Sequence, residues 1–311
     1  MRRWQVAAAA LVGTVAILAS SGVAMADGHD HGGNHALLCT GGDVSPGSYD
    51  ALVVAGPCFI PSGTVKVEGN LVIRPGALLD ATTPESFLAK PPTSGLPGTL
   101  KVGGNVFVQR GAVLILGCGF SLTSGHLTLC SGSTLQTDRV DGNITAVGAL
   151  AVVVHEVTVE GNISIIGGGG GPAIADLSGR SETTPGCYLV HGPTPWSMDP
   201  VFSHLPVYST VEGASIGGNL VMIGIQTCWL GATVNQVGGN VIALRNQTGD
   251  PDGNEIAGNA VGGNMVCFDN SPAAQIGDSQ QPPNRVAGRA LGECAPPLST
   301  LVQKTRDRDD D

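Results

Sequence analysis

Seven segments of this chain repeat one phrase: VEGNLVI, VGGNVFV, VDGNITA, VEGNISI, IGGNLVM, VGGNVIA and VGGNMVC. They align on Asn70, Asn105, Asn143, Asn162, Asn219, Asn240 and Asn264. Three positions before each Asn stands Val or Ile, and the positions one and three after it are apolar. The position between them varies, from Val72 and Phe107 to Thr145 and Ser164. Apolar residues two apart with a variable one between is the period of a strand with one buried face. The Gly before each Asn is expected to supply positive φ, and Asn tolerates the same region, so the phrase reads as strand, sharp corner, strand.

Successive Asn residues are separated by 35, 38, 19, 57, 21 and 24 positions, and the shortest steps set a unit near twenty residues. The step of 38 divides into 21 and 17 if Ser124-Gly125-His126-Leu127-Thr128-Leu129 is a further copy with His126 in the Asn place. The step of 35 is one unit plus a Pro-rich insertion, PESFLAKPPTSGLPG. A fixed period near twenty with short strands and Gly corners indicates a solenoid. Stacked coils lie about 4.8 Å apart, so like residues stack on like and the corner Asn side chains can hydrogen-bond up the stack. A sandwich of hairpins would need antiparallel pairing and no fixed corner residue, and the Leu-rich consensus of leucine-rich repeats is absent. The fold expected is all-β, a single-stranded parallel β-helix of roughly nine coils.

The bulk composition fits such a rod. Gly accounts for 47 of 311 residues, hydrophobic residues for 42% and charged residues for only 13%; this is far too apolar for a disordered chain. Residues 1–26 carry Arg2 and Arg3, an apolar run from Val6 to Ala19 and Ala24-Met25-Ala26, the organisation of a secretory signal peptide. The run is short for a membrane anchor, and no later stretch is long and apolar enough to span a bilayer. The formal charge of −10 becomes −12 once Arg2 and Arg3 leave, which disfavours nucleic-acid partners. The remaining organisation is a His-rich leader over 27–36, a solenoid over 37–302 with inserted loops at 81–99 and 168–212, and a charged tail over 303–311.

All eight cysteines follow the cleavage site: Cys39, Cys58, Cys118, Cys130, Cys187, Cys228, Cys267 and Cys294. An even count in an exported chain argues for disulfides. Sequential pairing (39–58, 118–130, 187–228, 267–294) is the simplest of the possible connectivities, and its first and last bonds would staple caps on the two ends of the solenoid.

The repeated phrases, the opening CTGGDVSPGSYDALVVAGPC and the closing VGGNMVCFDNSPAAQIGDSQQPPNRVAGRALGEC resemble a family of secreted actinobacterial proteins of unknown function. The resemblance covers roughly residues 37 to 294, apart from the insertion near 170 to 212. It implies export and a right-handed coil, and it brings no catalytic residues. Bactofilins share the β-helical style but lack the signal peptide and the disulfides.

Three places carry possible chemistry. The insertion after Gly167–Gly171 collects Asp176, Arg180, His191, Trp196, Asp199 and His204. Asp199, His191 and His204 are the candidates there for proton transfer on a carbohydrate, with Trp196 as a stacking surface; the alternative is a surface loop pinned by Cys187–Cys228. Asp141 and Glu160 precede the Gly of adjacent phrases, so stacking would bring the carboxylates to about 5 Å, the separation used by retaining glycosidases. Cleavage after Ala26 would leave Asp27-Gly28-His29, whose amine, amide nitrogens and imidazole form a square-planar set for copper or nickel, with His31 and His35 nearby; the alternative is a plain polar leader. Asn143, Asn162 and Asn246 each begin an N-x-[ST] triplet, and two of these are corner residues of the repeat. β-Helix polysaccharide lyases and glycosidases mount several charged residues on neighbouring coils, whereas these coils are nearly charge-free. The expectation is therefore an exported non-enzymatic structural or binding module with a glycan or cell-wall partner.

Overall fold

A computed structural model describes residues 35–82, 98–117, 138–170, 207–277 and 281–295, together with the backbone of 120–123 and 126–129. Among these residues every regular element is a strand. Three parallel sheets run the length of the unit formed by residues 34–311. The first has ten strands, from Leu37–Cys39 to Ala290–Gly292; the second has eight, from Gly42–Asp43 to Asn254–Ala257; the third has nine, from Gly47–Tyr49 to Arg285–Val286. The chain visits the third, first and second sheets in turn and then climbs one rung. The coil Gly63–Val67, Leu71–Ile73, Leu78–Thr82 is the pattern for the rest. This is a parallel β-solenoid, with ten rungs on its longest sheet.

The phrase sits at the corner between the third and first sheets. Its three apolar positions all face inward: Val67, Leu71 and Ile73 are fully buried, as are Val159, Ile163 and Leu220 on later rungs. Each such burial stabilises by about 1.5–3 kcal/mol relative to exposure. Registers are strict along the stack, for example Leu71↔Val106 and Ile163↔Leu220, because a slip of one residue would turn the whole apolar set outward.

The side-chain ladder is present along the whole stack. Oδ1 of each corner Asn accepts the backbone N–H and the side-chain amide of the next: Asn143 donates to Asn105 at 2.9 and 3.0 Å, and Asn240 to Asn219 at 2.8 and 2.9 Å. Arg289 N–H closes the ladder on Asn264 Oδ1 at 2.9 Å.

Several expectations change. Asn143 bonds Asn105 directly, so no coil intervenes and the His126 segment is not a copy of the phrase. His126–Leu129 pairs antiparallel with Phe120–Thr123, a hairpin inserted in one coil. The two inserted loops are also shorter than 81–99 and 168–212. Leu78–Thr82 and Gly98–Val102 are strands on either side of the first, and Tyr208–Glu212 is a strand of the second sheet. The phrase glycines have no positive φ. A Cβ on Gly218 would lie 2.4 Å from Asn162 Oδ1, and one on Gly161 2.5 Å from Asn143 Oδ1. Gly is therefore required by close approach to the ladder below. Positive φ belongs to the other two corners, at Gly148, Gly224, Arg245 and Asp269 after the first sheet and at Glu156, Gly213, Val234 and Gly258 after the second.

Disulfides join Cys39 to Cys58 and Cys267 to Cys294. Cys228 is also disulfide-bonded, and its partner lies outside the described residues, as do Cys118, Cys130 and Cys187.

Candidate functional site

Each sheet presents a different outer face. In the third sheet the residue four before each corner Asn points outward and forms one registered column, Lys66, Lys101, Arg139, Thr158, Ser215, Gln236 and Ala260, which Arg285 continues on the last rung. Beside it runs a second column, Glu68, Gly103, Asp141, Glu160, Gly217, Gly238 and Gly262. The early rungs are therefore charged and paired. Lys66 Nζ bonds Glu68 at 2.8 Å, and the Arg139 guanidinium reaches both Asp141, at 2.5 Å, and Glu160, at 2.9 Å. Asp141 and Glu160 do stand on adjacent rungs, since Val140 pairs with Val159. The sequence reading missed that Arg139 bridges them. Exposed by about half and neutralised by a shared cation, they form a surface ion network of small energetic weight.

The later rungs of the same face have glycine in the acid column, which opens a shallow groove of about 910 Å³. Ser215, Gln236 and Arg285 supply its polar groups, Gly238 and Gly262 border it, and Val234 and Pro282 add apolar surface. Arg245, Asp252 and Asp269 are not among its lining residues, so among the described residues Arg285 is the one charge that lines it.

The middle rungs of the second sheet are buried on both sides: all five positions of Val113–Gly117, Ala151–His155 and Tyr208–Glu212 are buried. Its inward residues, such as Leu114, Val152 and Val211, join the main core. Its outward residues Leu78, Val113, Ile115, Ala151, Val153 and Tyr208 form a second apolar cluster with Leu150, Val207 and Cys228. Polar groups interrupt those outward rows. His155 pairs in register with Glu212, and its Nε2 contacts Thr210 Oγ1. Glu212 is 3% exposed, and its Oε1 has no hydrogen-bond partner. Burial pushes its carboxyl up to about 8, with Glu255 adding to the shift, because desolvation disfavours the charged form. Asp138 is buried too; its two oxygens accept Leu100 N–H at 2.7 Å and Gly117 N–H at 2.9 Å. Burial outweighs those bonds and raises its carboxyl to about 7.

The first sheet contains no charged residue in any of its ten strands. One outward column runs Val147, Ile166, Ile223, Leu244 and Phe268 in continuous register. Beside it Val221, Ile242, Val266 and Leu291 continue the apolar surface. Val147 is 54% exposed and Phe268 45%.

Two further Asn ladders escaped the sequence reading. Asn235, Asn259 and Asn284 stack at the corner after the second sheet, and Asn246 and Asn270 at the corner after the first, where Glu293 ends the series. Their polarity is opposite to that of the GN ladder, because here the earlier Asn donates to the later Oδ1. The signal was available in VNQ, GNA and RNQ, each an Asn after a residue with positive φ, but only three coils carry it. Asn246 is fully buried, so its N-x-T triplet cannot accept a glycan in the folded chain.

His191, His204 and Asp199, with Asp176, Arg180 and Trp196, lie outside the described residues, as do Asp27, Gly28, His29 and His31. Among the described residues no cluster of three or more His, Cys, Asp or Glu is arranged to hold a metal ion. No helix among them is long and apolar enough to cross a membrane. In comparisons with protein-family models, curated proteins and solved structures, nothing matches this chain.

Proposed function

We propose that this chain is an exported structural or binding solenoid of the cell surface or medium, related to the secreted actinobacterial proteins it resembles, and that it takes a neutral glycan in the groove of the third sheet. The groove carries this reading. It sets a hydroxyl, an amide and a guanidinium (Ser215, Gln236, Arg285) beside apolar Val234 and Pro282 on an open surface, and sugars offer hydroxyls and C–H faces to such a mixture. The disulfides Cys39–Cys58 and Cys267–Cys294 suit an oxidising compartment. A glycan array and a cell-wall pull-down test the proposal. Binding should fall at least tenfold in Gln236→Ala/Arg285→Ala, and retention by that variant of any binding seen would remove the groove from the account.

A second reading, a glycosidase or lyase on the same scaffold, draws on Glu212, a buried carboxyl beside His155 with one oxygen unpartnered and a proton held to about 8. That is the state of a general acid. Release of reducing ends or unsaturated sugars from a glycan panel, lost in Glu212→Gln, would favour it over the binding module. Copper or nickel capture by Asp27-Gly28-His29 stands on the sequence alone.

A further inference from the structure

We infer that the third-sheet groove holds its glycan as an extended, unbranched chain of about four 1,4-linked sugars, one to a rung, running along the solenoid axis against Val234. This rests on the glycan-binding reading above and specifies what that site takes. The outward column Ser215, Gln236, Ala260 and Arg285 occupies four successive rungs in register, a length of about 14 Å. Beside it the position two before each corner Asn is Gly217, Gly238 and Gly262. The fold does not demand glycine there. Glu160 stands at the same position on an earlier rung and makes the same backbone bond: its N–H donates to Val140 C=O at 3.0 Å, as that of Gly238 donates to Ile216 C=O at 2.8 Å. The glycines therefore clear a lane of side chains, and the Arg139–Glu160 ion pair marks its early end.

Val234, on the wall of the lane, supplies an independent observation. Its φ is +51, a region costly for a β-branched residue. The same corner carries Gly213 and Gly258 on the rungs either side. Val234 Cγ1 lies 2.8 Å from where a Cβ on Gly258 would sit, so the isopropyl group leans along the axis and lines the groove. Strain kept at a corner where Gly would remove it points to a contact that the side chain makes. The rung spacing then selects the ligand. A 1,4-linked pyranose chain advances by the length of one ring per residue, close to the rung rise of about 4.8 Å, whereas an extended peptide advances by about 3.3 Å and falls out of step. Ser215, Gln236 and Arg285 meet sugar hydroxyls, and Val234 and Pro282 meet C–H faces.

Titration calorimetry of the purified chain with chitin and cellulose oligosaccharides, from monosaccharide to hexasaccharide, tests this. Affinity for at least one series should climb with each added sugar to the tetrasaccharide and then level off. Ser215→Glu, at an exposed position on the first rung of the lane, should move the plateau to the trisaccharide. Val234→Gly should melt at or above the temperature of the parent yet bind the tetrasaccharide at least tenfold more weakly; a valine with a purely structural role would change stability alone. Affinity that does not depend on chain length, a plateau unmoved by Ser215→Glu, or parental binding by Val234→Gly would each overturn the inference and leave the glycan reading standing. Failure of both series to bind also overturns it, and the reading itself falls only if the glycan array is blank as well.

Discussion

Asn162 and Asn219 are 57 residues apart in the chain and hydrogen-bonded: the backbone N–H and side-chain amide of Asn219 both donate to Asn162 Oδ1, at 2.8 and 2.9 Å. The longest insertion therefore leaves the ladder unbroken. The rung above an insertion is built by the same two bonds as any other, as Asn143 and Asn162 illustrate at a separation of 19.

The buried ladders should matter more than the one that defines the repeat. Asn259 is fully buried, accepts from Asn235 through Oδ1 and donates to Asn284 and to Ala232 C=O. Asn259→Ala should cost about 3–4 kcal/mol, against about 1–2 kcal/mol for Asn162→Ala at its partly exposed corner, since orphaned buried groups carry the desolvation penalty. Denaturant titration of both variants checks the order; equal costs would contradict it.

Gly218→Ala should be severely destabilising although the φ of Gly218 is ordinary, because the new Cβ would sit 2.4 Å from Asn162 Oδ1. Gly224 has φ +64, and a Cβ there would meet nothing within 4 Å; the equivalent corner holds Arg245 and Asp269 on later rungs. Gly224→Asn should then change stability by less than about 1 kcal/mol. Thermal melts of the pair separate contact from backbone conformation.

Stability should fall as pH rises. Folded Glu212 keeps its proton to about 8 and folded Asp138 to about 7, while their ordinary values are 4.5 and 3.8. Between those limits the folded chain holds protons that the unfolded chain has released, so the contribution is full below about pH 4 and lost by about pH 8. The melting temperature should drop by at least about 4 °C from pH 5 to pH 8, by the usual relation of free energy to melting shift. Glu212→Gln should narrow that drop; a melting temperature that rises over this range would exclude it.

Asp138→Asn should destabilise even though Asn fills other corner positions. Both Asp138 oxygens accept backbone N–H groups, from Leu100 and Gly117, and an amide would turn its NH₂ toward one of them. The loss of one buried acceptor costs about 1–3 kcal/mol, measurable by chemical denaturation, and an unaffected variant would mean that the site relaxes.

Much of the fold was legible because a parallel solenoid writes its geometry into the chain locally. The inward positions around Asn70 or Asn219 have to be apolar at spacing two, and the corner Asn has to recur because each one bonds the next. His126 misled for the same reason: GHLTL has the local pattern of a rung, but a hairpin strand shares that period, and only the direct bond from Asn143 to Asn105 tells them apart. Asp141 and Glu160 were placed correctly on adjacent rungs, but nothing in their spacing revealed that Arg139, two residues before Asp141, would reach both.

The sequence by itself determined the rung, the period and the ladder at the GN corner, since each depends on residues about one coil apart. Only the tertiary structure decided what faces outward from each sheet. Which columns collect charge, glycine or aliphatic side chains depends on coils brought together from 19 to 57 residues apart. The burial of Glu212 beside His155 and the uncharged face from Val147 to Phe268 are therefore properties of the stack, invisible in any one repeat.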